Sequence, residues 1–222
     1  MGVHRATGGR FSVKPQYPLG LSALAPWTHH GRVSGLRTIE QTERVLIVMS
    51  GLAGSGKTTI ASAIGRARRC PALSVDPIES AIVQSGVTRS FETGLGAYLV
   101  AATLAEAHLS AGLDVVIDAA NYVEPARDLW RALATKHRLA LTVIECVVTD
   151  PTIHATRLSS RDRGLRIAEP SWQLVEEQGA EWTSWPEPHL RLDALDPIDR
   201  NVARAIGYVA DQAAASESEG TR

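Results

Sequence analysis

One eight-residue stretch, Gly51-Leu52-Ala53-Gly54-Ser55-Gly56-Lys57-Thr58, restricts the possible folds of this chain more than any other feature. It matches the pattern G-x-x-x-x-G-K-[S/T] at every fixed position and follows the continuous apolar run at residues 45–49. Such a run predicts a strand that is buried on both faces. Residues 58–69, with Ile60 and Ile64 on one face, predict a helix. A buried strand, a glycine-rich turn and a helix in this order are typical of a loop that wraps polyphosphate in an α/β fold.

The residue types in this loop suit a nucleoside triphosphate with Mg²⁺. Glycines allow the backbone to curl until its N–H groups converge on phosphate oxygens, and the positive end of the following helix adds to the attraction. We expect Lys57 to reach the β- and γ-phosphates, and the Thr58 hydroxyl to ligate Mg²⁺, which prefers hard oxygen ligands. The predicted nucleotide contacts are Gly51, Leu52, Ala53, Gly54, Ser55, Gly56, Lys57, Thr58, Thr59 and, from the later part of the chain, Arg161.

Beyond the loop, short apolar runs alternate with helical periodicity. Further strands are predicted at 73–75, 113–117, 139–148 and 190–192, and helices at 95–110, 125–137 and 172–182, with three more beginning at Asp-Pro pairs. This alternation predicts a three-layer α/β P-loop NTPase fold, with a parallel sheet of about five strands and helices on both faces. Ligands bind at the carboxyl ends of such strands, and Asp76, Asp118 and Asp150 all follow predicted strands.

Composition divides the chain into three parts. Residues 1–42 have no steady hydrophobic period, which predicts a flexible extension. The extension is predicted to be basic, because residues 1–44 carry six Arg or Lys against two Glu. The catalytic domain is predicted at 43–212 and a frayed tail at 213–222. The His29-His30 pair is read as part of a solvated extension rather than as a metal site. Two cysteines outside metal-binding spacing, and no apolar run of membrane-spanning length, predict a cytoplasmic protein without a membrane partner.

The sequence separates three classes of P-loop protein. A GTPase is expected to carry an Asn/Thr-Lys-x-Asp motif, and residues 135–138 lack its Asp. An AAA-type, mechanical ATPase is expected to have Glu after the strand-terminal Asp, but Asp118 is followed by Ala119. A kinase needs no hydrolytic Glu; it needs an acid near the acceptor, an acid near the metal and cations over the transferred group.

Four places in the chain resemble the small P-loop kinases related to 5′-hydroxyl polynucleotide kinases, zeta-toxin-like kinases and antibiotic phosphotransferases. They are residues 45–59, Leu73-Ser74-Val75-Asp76, residues 115–121 and Arg157-Leu158 with Arg161. The third resembles a family strand that ends in Asp-Ala-Thr-Asn, with Ala120 in place of Thr. The resemblance covers residues 44–212 and implies an ATP-dependent kinase with an arginine-bearing lid over the phosphates.

Several acidic, basic and amide residues outside the phosphate loop are predicted to act in catalysis or binding. Asp76 is the candidate general base, although Asp before Pro is also a helix-capping signature, and the two roles are compatible. Asp118 is expected to support Mg²⁺. Arg157 and Arg161 lie four residues apart and are expected to share one face of a lid helix, with Arg163 close by and Gly164 as a hinge. Arg89 and Asn121 are expected to contact the acceptor.

The function that we expect is ATP-dependent transfer of the γ-phosphoryl group to a hydroxyl of a small molecule or nucleoside. A nucleic-acid 5′-hydroxyl kinase is an alternative, but the net acidic charge beyond residue 44 does not favour a long polyanionic acceptor. A nucleotide-binding regulatory module and a zeta-like toxin kinase that acts on a cell-wall sugar precursor are the remaining alternatives.

Overall fold

The computed structural model describes residues 44–220, with side chains up to residue 215. The predicted extension at 1–42 and its His29-His30 pair lie outside the described residues. The strands are β1 (Leu46–Ser50), β2 (Ala72–Ser74), β3 (Val115–Asp118), β4 (Leu141–Val147) and β5 (His189–Asp193). The helices are α1 (Lys57–Arg68), α2 (Val75–Gln84), α3 (Phe91–Ser110), α4 (Glu124–His137), α5 (Pro151–Ser159), α6 (Trp172–Ala180) and α7 (Ile198–Gly220).

The five strands form one parallel sheet in the order β2-β3-β1-β4-β5. All five residues of β1 are buried, as its continuous apolar sequence predicts for a central strand. Because the strands are parallel, their carboxyl ends lie at one edge, where the chain turns into α1, α2 and α5. The predicted fold class is confirmed.

Two hydrophobic layers enclose the sheet. On one face, Leu46, Val48 and Ile117 pack with residues of α3 and α4. On the other face, Ile47 and Met49 pack with residues of α1 and α7. The alternation of neighbouring β1 residues between these two clusters follows from the period of two along a strand. Helices therefore cover both faces of the sheet and leave its carboxyl edge as the accessible rim.

Helix ends differ from the predicted ones where capping residues decide them. Helix α3 begins at Phe91 rather than at residue 95, because Ser90 and Thr93 form a reciprocal capping box. Asp150 caps α5 as its Asp-Pro pair predicts, and its carboxylate accepts from the N–H groups of Thr152 and Ile153. Helix α7 continues to Gly220, past residue 213 where the frayed tail was predicted to begin.

Candidate active site

The predicted phosphate loop connects β1 to α1, and its three glycines all have positive φ. A Cβ on Gly51 would lie 2.2 Å from the carbonyl oxygen of Cys146, so glycine is required there by space as well as by conformation. Gly56 is the N-cap of α1 and offers no capping side chain. The Thr59 and Ile60 N–H groups donate to the Gly56 carbonyl oxygen, whereas those of Lys57 and Thr58 receive no capping side chain and are available for an anion.

The Lys57 ammonium lies inside the loop. Its side chain is almost fully buried, and Nζ donates to the carbonyl oxygen of Leu52 at 2.9 Å. Burial lowers the pKa of Lys57 from 10.5, while the carboxylates of Asp118 and Asp76 act in the opposite direction. A buried ammonium with a neutral acceptor is stabilised by an incoming phosphate, because an anionic partner compensates for the lost hydration.

Thr58 and Asp118 meet as the metal prediction requires. The Thr58 hydroxyl donates to Asp118 Oδ2 at 2.8 Å, and the Ser74 hydroxyl donates to the same oxygen at 2.9 Å. Parallel pairing places Ser74 directly beside Asp118 in the sheet. No group of three or more His, Cys, Asp or Glu within residues 44–220 is arranged to hold a metal. Two hard oxygens beside a phosphate site nevertheless suit Mg²⁺, which takes its remaining ligands from phosphate and water.

One cavity of about 150 Å³ collects most of the predicted site. It lies between the phosphate loop, the ends of β2 and β3, and the segment at residues 160–171 that joins α5 to α6. The predicted site residues that line it are Ala53, Lys57, Thr58, Asp76, Arg89, Asp118 and Arg161. The phosphate loop, the metal pair, the candidate base and one predicted lid arginine therefore share a single space.

Asp76 is in the first turn of α2, but it is not the N-cap, which is Ser74. The Asp76 side chain is 48% exposed and forms an ion pair with Arg163. Arg163 also pairs with Glu169 at 2.7 Å, so a bridge of three charged side chains crosses the cavity. The Asp-Pro pair at Asp76 therefore does not have the capping geometry of Asp150, and the Asp76 carboxylate faces the cavity.

The structure corrects the prediction for Arg157. Helix α5 ends at Ser159, so Arg157 and Arg161 do not share a helix face. Arg157 Nη2 donates to the carbonyl oxygen of Ala194 at 2.8 Å, in the turn after β5, and Arg157 does not line the cavity. Arg161 does line it, and burial together with Arg163 lowers the Arg161 pKa from 12.5. The cations that the segment after α5 contributes to the cavity are therefore Arg161 and Arg163.

Asn121, predicted to contact the acceptor, has its side chain hydrogen-bonded inside the protein. Asn121 is fully buried, and its side chain donates to the Met49 carbonyl oxygen at 2.7 Å and accepts from Trp130 Nε1 at 2.8 Å. Its φ of 51° lies in the left-handed region that Asn adopts more readily than most residues. Both ends of the amide have partners inside the protein, so the acceptor contact of Asn121 stays a prediction, and its observed role is to connect β1 to α4.

Arg89 lies at the acceptor side of the cavity. Its guanidinium is half exposed, donating to Glu79 at 3.3 Å and to the Ala168 carbonyl oxygen at 3.4 Å. Glu79 is buried and also accepts from the Thr93 hydroxyl at 2.9 Å. These long contacts leave the guanidinium able to turn toward a ligand.

Sequence reasoning missed four side chains of this site: Ser74, Glu79, Arg163 as a partner of Asp76, and Glu169. For Ser74 a signal existed, since a hydroxyl precedes Asp76 at the end of a predicted strand. The ion pair of Arg163 with Asp76 joins residues that lie 87 positions apart, and no local pattern encodes it.

Comparison with known proteins agrees with this architecture. A family model described as AAA domain matches residues 46–188. No curated protein matches the chain by sequence. None of the helices among residues 44–220 combines the length and the apolar character needed to cross a membrane.

Several solved structures share the fold. A gluconokinase from Sinorhizobium meliloti aligns with a TM-score of 0.61 at 18% identity, covering 80% of this chain and 99% of that one. The Mycobacterium tuberculosis APS kinase CysC, in complex with AMPPNP and APS, gives 0.57 at 18% identity over 75% and 98%. Kti12 of Chaetomium thermophilum, in complex with ADP-AlF3, gives 0.56 at 18% identity over 75% and 98%. With a family match over more than half of its length, the chain belongs to the AAA domain family, and it shares its fold with these proteins.

Proposed function

We propose that this protein is an ATP-dependent kinase that transfers the γ-phosphoryl group to a hydroxyl of a small molecule. The observation that supports the proposal most is the content of a single cavity. On one side it has the phosphate-loop lysine and the Thr58–Asp118 pair, and on the other a solvent-accessible carboxylate, Asp76, flanked by arginines. Nucleotide complexes of two proteins with this fold, with AMPPNP and with ADP-AlF3, support ATP as the donor.

Nucleotide binding begins at the loop. The phosphates replace the Leu52 carbonyl oxygen as partner of the Lys57 ammonium, and the first-turn N–H groups of α1 donate to phosphate oxygens. Thr58 and Asp118 would hold Mg²⁺, directly or through water, and the ion supplies neutralisation of phosphate charge. Ser74 keeps the Asp118 carboxylate in position through the hydrogen bond at 2.9 Å.

Transfer requires a base for the acceptor hydroxyl. Asp76 accepts the hydroxyl proton while the hydroxyl oxygen forms a bond to the γ-phosphorus, and the bond from that phosphorus to the β–γ bridging oxygen breaks, so that ADP leaves. In the structure the Asp76 carboxylate forms an ion pair with Arg163. Arg163 retains Glu169 as a second partner, so it can shift toward the phosphates and release the carboxylate. Arg161 supplies the second cation over the transferred group.

Two observations favour a small acceptor and transfer over hydrolysis. The cavity of about 150 Å³ is small, and Arg89, which lines it, is paired with buried Glu79. Ala119 follows Asp118, so the Glu of a mechanical ATPase is missing at this position. Arg89 then gives the acceptor a cationic contact. These features support small-molecule transfer over a nucleic-acid end kinase, whose acceptor needs a long basic channel.

The test is an ADP-release assay with a panel of sugars, sugar acids and nucleosides, with product masses. Asp76→Asn is expected to retain ATP binding and to lose turnover by roughly 10²–10⁴-fold, the typical contribution of a general base. Asp199→Asn is the matched control, because Asp199 is an exposed acid in the first turn of α7 and does not line the cavity.

Full turnover by Asp76→Asn would remove Asp76 as the base. ATP binding by the wild type without turnover on any acceptor would instead favour a nucleotide-binding regulatory module. Oligonucleotide phosphorylation with a steep dependence on salt would favour the nucleic-acid kinase.

A further inference from the structure

A second cavity, of about 290 Å³, lies on the other side of the phosphate loop. The first cavity is lined from β2 and β3, whereas this one is lined from β4 and β5, and β1 separates the two pairs of strands. The lining residues that matter here are Leu52, Ser55, Glu145, Val147, Trp182 and Arg191. Its volume is close to the lower end of the range for small-ligand sites, roughly 300–1,000 Å³.

The floor of this second cavity carries a carboxylate with spare hydrogen-bonding capacity. Glu145 is only 3% exposed, and its Oε1 accepts from Trp182 Nε1 at 2.7 Å. Oε2 lies 3.7 Å from His189 Nε2 and from Arg191 Nε, and both distances exceed that of a hydrogen bond. A buried carboxylate oxygen that is so weakly paired favours a ligand that brings N–H donors.

Ser55 gives the second polar contact. Its hydroxyl is buried, and among the described residues it has no hydrogen-bond partner. A polar atom in this state, beside a cavity with room for a ligand, requires either water or a bound molecule. Because Ser55 belongs to the phosphate loop, a ligand in this cavity contacts the loop on the side opposite the first cavity.

The walls define the shape of the ligand. Leu52, Val147 and Val148 are apolar, and the Trp182 indole adds an aromatic surface whose N–H is already used by Glu145. Apolar and aromatic walls around a few fixed polar groups suit a flat ring. The Glu145 carboxylate disfavours a phosphate group, so the cavity does not suit a second triphosphate.

We propose that this cavity is a second ligand site, for a small flat compound that presents adjacent N–H donors, of the amidine or amino-heterocycle class. Glu145 accepts from the donors, the Ser55 hydroxyl binds a ring nitrogen, and the apolar walls enclose the ring. Because Leu52 and Ser55 also belong to the phosphate loop, the ligand and the nucleotide alter one another's affinity by the same factor.

The probe for the test is 2-aminobenzimidazole, which has a flat bicyclic ring, adjacent N–H donors and no phosphate. Calorimetry on the whole chain is expected to show one site that persists at saturating ADP. Glu145→Gln is expected to weaken the probe at least about tenfold, the loss expected for a hydrogen bond to a charged group. Ser55→Ala is expected to weaken it by less.

Glu106→Gln is the matched control, because Glu106 is a buried carboxylate of α3 that lines neither cavity. It is expected to leave probe affinity unchanged. Absence of binding to the wild type at millimolar probe would overturn the proposal whatever the variants do. Complete displacement by ADP, or equal affinity in wild type and Glu145→Gln, would place the probe elsewhere and overturn it as well. These measurements record binding alone, so they stand apart from the kinase assay.

Discussion

At the scale of single residues, Lys57 shows how the protein holds a charge ready for its ligand. The residue is buried in a loop where a backbone carbonyl oxygen is its hydrogen-bond acceptor. Desolvation lowers its pKa from 10.5, although Asp118 lies near enough to oppose that shift. The ammonium form is the one that binds phosphate, so nucleotide affinity depends on the protonation of this one group.

The pH dependence of binding follows with a definite sign. The protonated fraction of Lys57 falls as pH rises through a pKa below 10.5, so ATP affinity is expected to decrease with rising pH. A fluorescent ATP analogue, titrated from about pH 7 to 10, measures the change, since ordinary lysines stay protonated over most of that range. Lys57→Arg is the control, because its guanidinium remains charged throughout.

A wild-type curve as flat as that of Lys57→Arg would contradict the proposed role of Lys57. Titration of Cys146, which lies beside the loop, does not contribute to the change in ATP affinity over this pH range, because burial raises the pKa of its thiol to about 12.

At the scale of elements, the segment between α5 and α6 decides which arginines serve the site. The spacing of Arg157 and Arg161 predicts a shared helix face, but α5 ends at Ser159, before the second arginine. The chain then turns into the cavity, where Arg161 and Arg163 both pair with Glu169. Gly164, predicted as a hinge, has a φ of 62° and lies directly after Arg163. The position of the helix end therefore separates two cations that the sequence grouped together.

Two variants of this segment test that separation. Arg161→Ala is expected to lower kcat by roughly 10³-fold or more, as for an arginine over a transferred phosphoryl group. Arg157→Ala is expected to leave kcat nearly unchanged, because its guanidinium binds the Ala194 carbonyl oxygen at 2.8 Å instead. Steady-state kinetics of both variants, with the best acceptor of the panel, measure these changes in kcat. Equal losses in the two variants would mean that Arg157 also reaches the phosphates.

At the scale of the whole molecule, parallel topology brings distant residues to one rim. Pairing of β2 with β3 sets Ser74 beside Asp118, and the turn after β1 places Thr58 against the same carboxylate. Asn121 fixes this rim from inside: it bonds the Met49 carbonyl oxygen of the central strand and the Trp130 N–H of α4. One buried amide thus connects the sheet to a covering helix.

Asn121→Ala is expected to lower the free energy of unfolding by about 2–5 kcal/mol, because it leaves a buried carbonyl oxygen and a buried indole N–H without partners. Urea unfolding measures the loss. Arg89→Ala serves as the contrasting control, since Arg89 is half exposed and should affect the KM of the acceptor rather than stability. A stable Asn121→Ala variant with a raised acceptor KM would restore the original assignment of Asn121 to the acceptor.

The local sequence determined those features whose causes lie within a few neighbouring residues. The phosphate loop follows from glycines at fixed spacing, the strands from apolar runs, and the Asp150 cap from its Asp-Pro pair. The strand-terminal Asp118 was placed near the metal because the carboxyl ends of parallel strands share an edge. Each of these rests on backbone geometry or on hydrophobic period, and both act over short distances.

Tertiary structure alone decided the partners of the charged and amide side chains. Asp76 and Arg163 are 87 positions apart, Asn121 and Met49 are 72 apart, and no pattern in the chain couples them. The same holds for the cavity around Glu145 and Ser55, whose walls come from four separate segments. Hydrogen bonds and ion pairs form between groups that the packed fold brings within about 3 Å. The sequence therefore predicted a phosphate-binding loop, while packing decided which side chains line the cavity and which are buried beneath it.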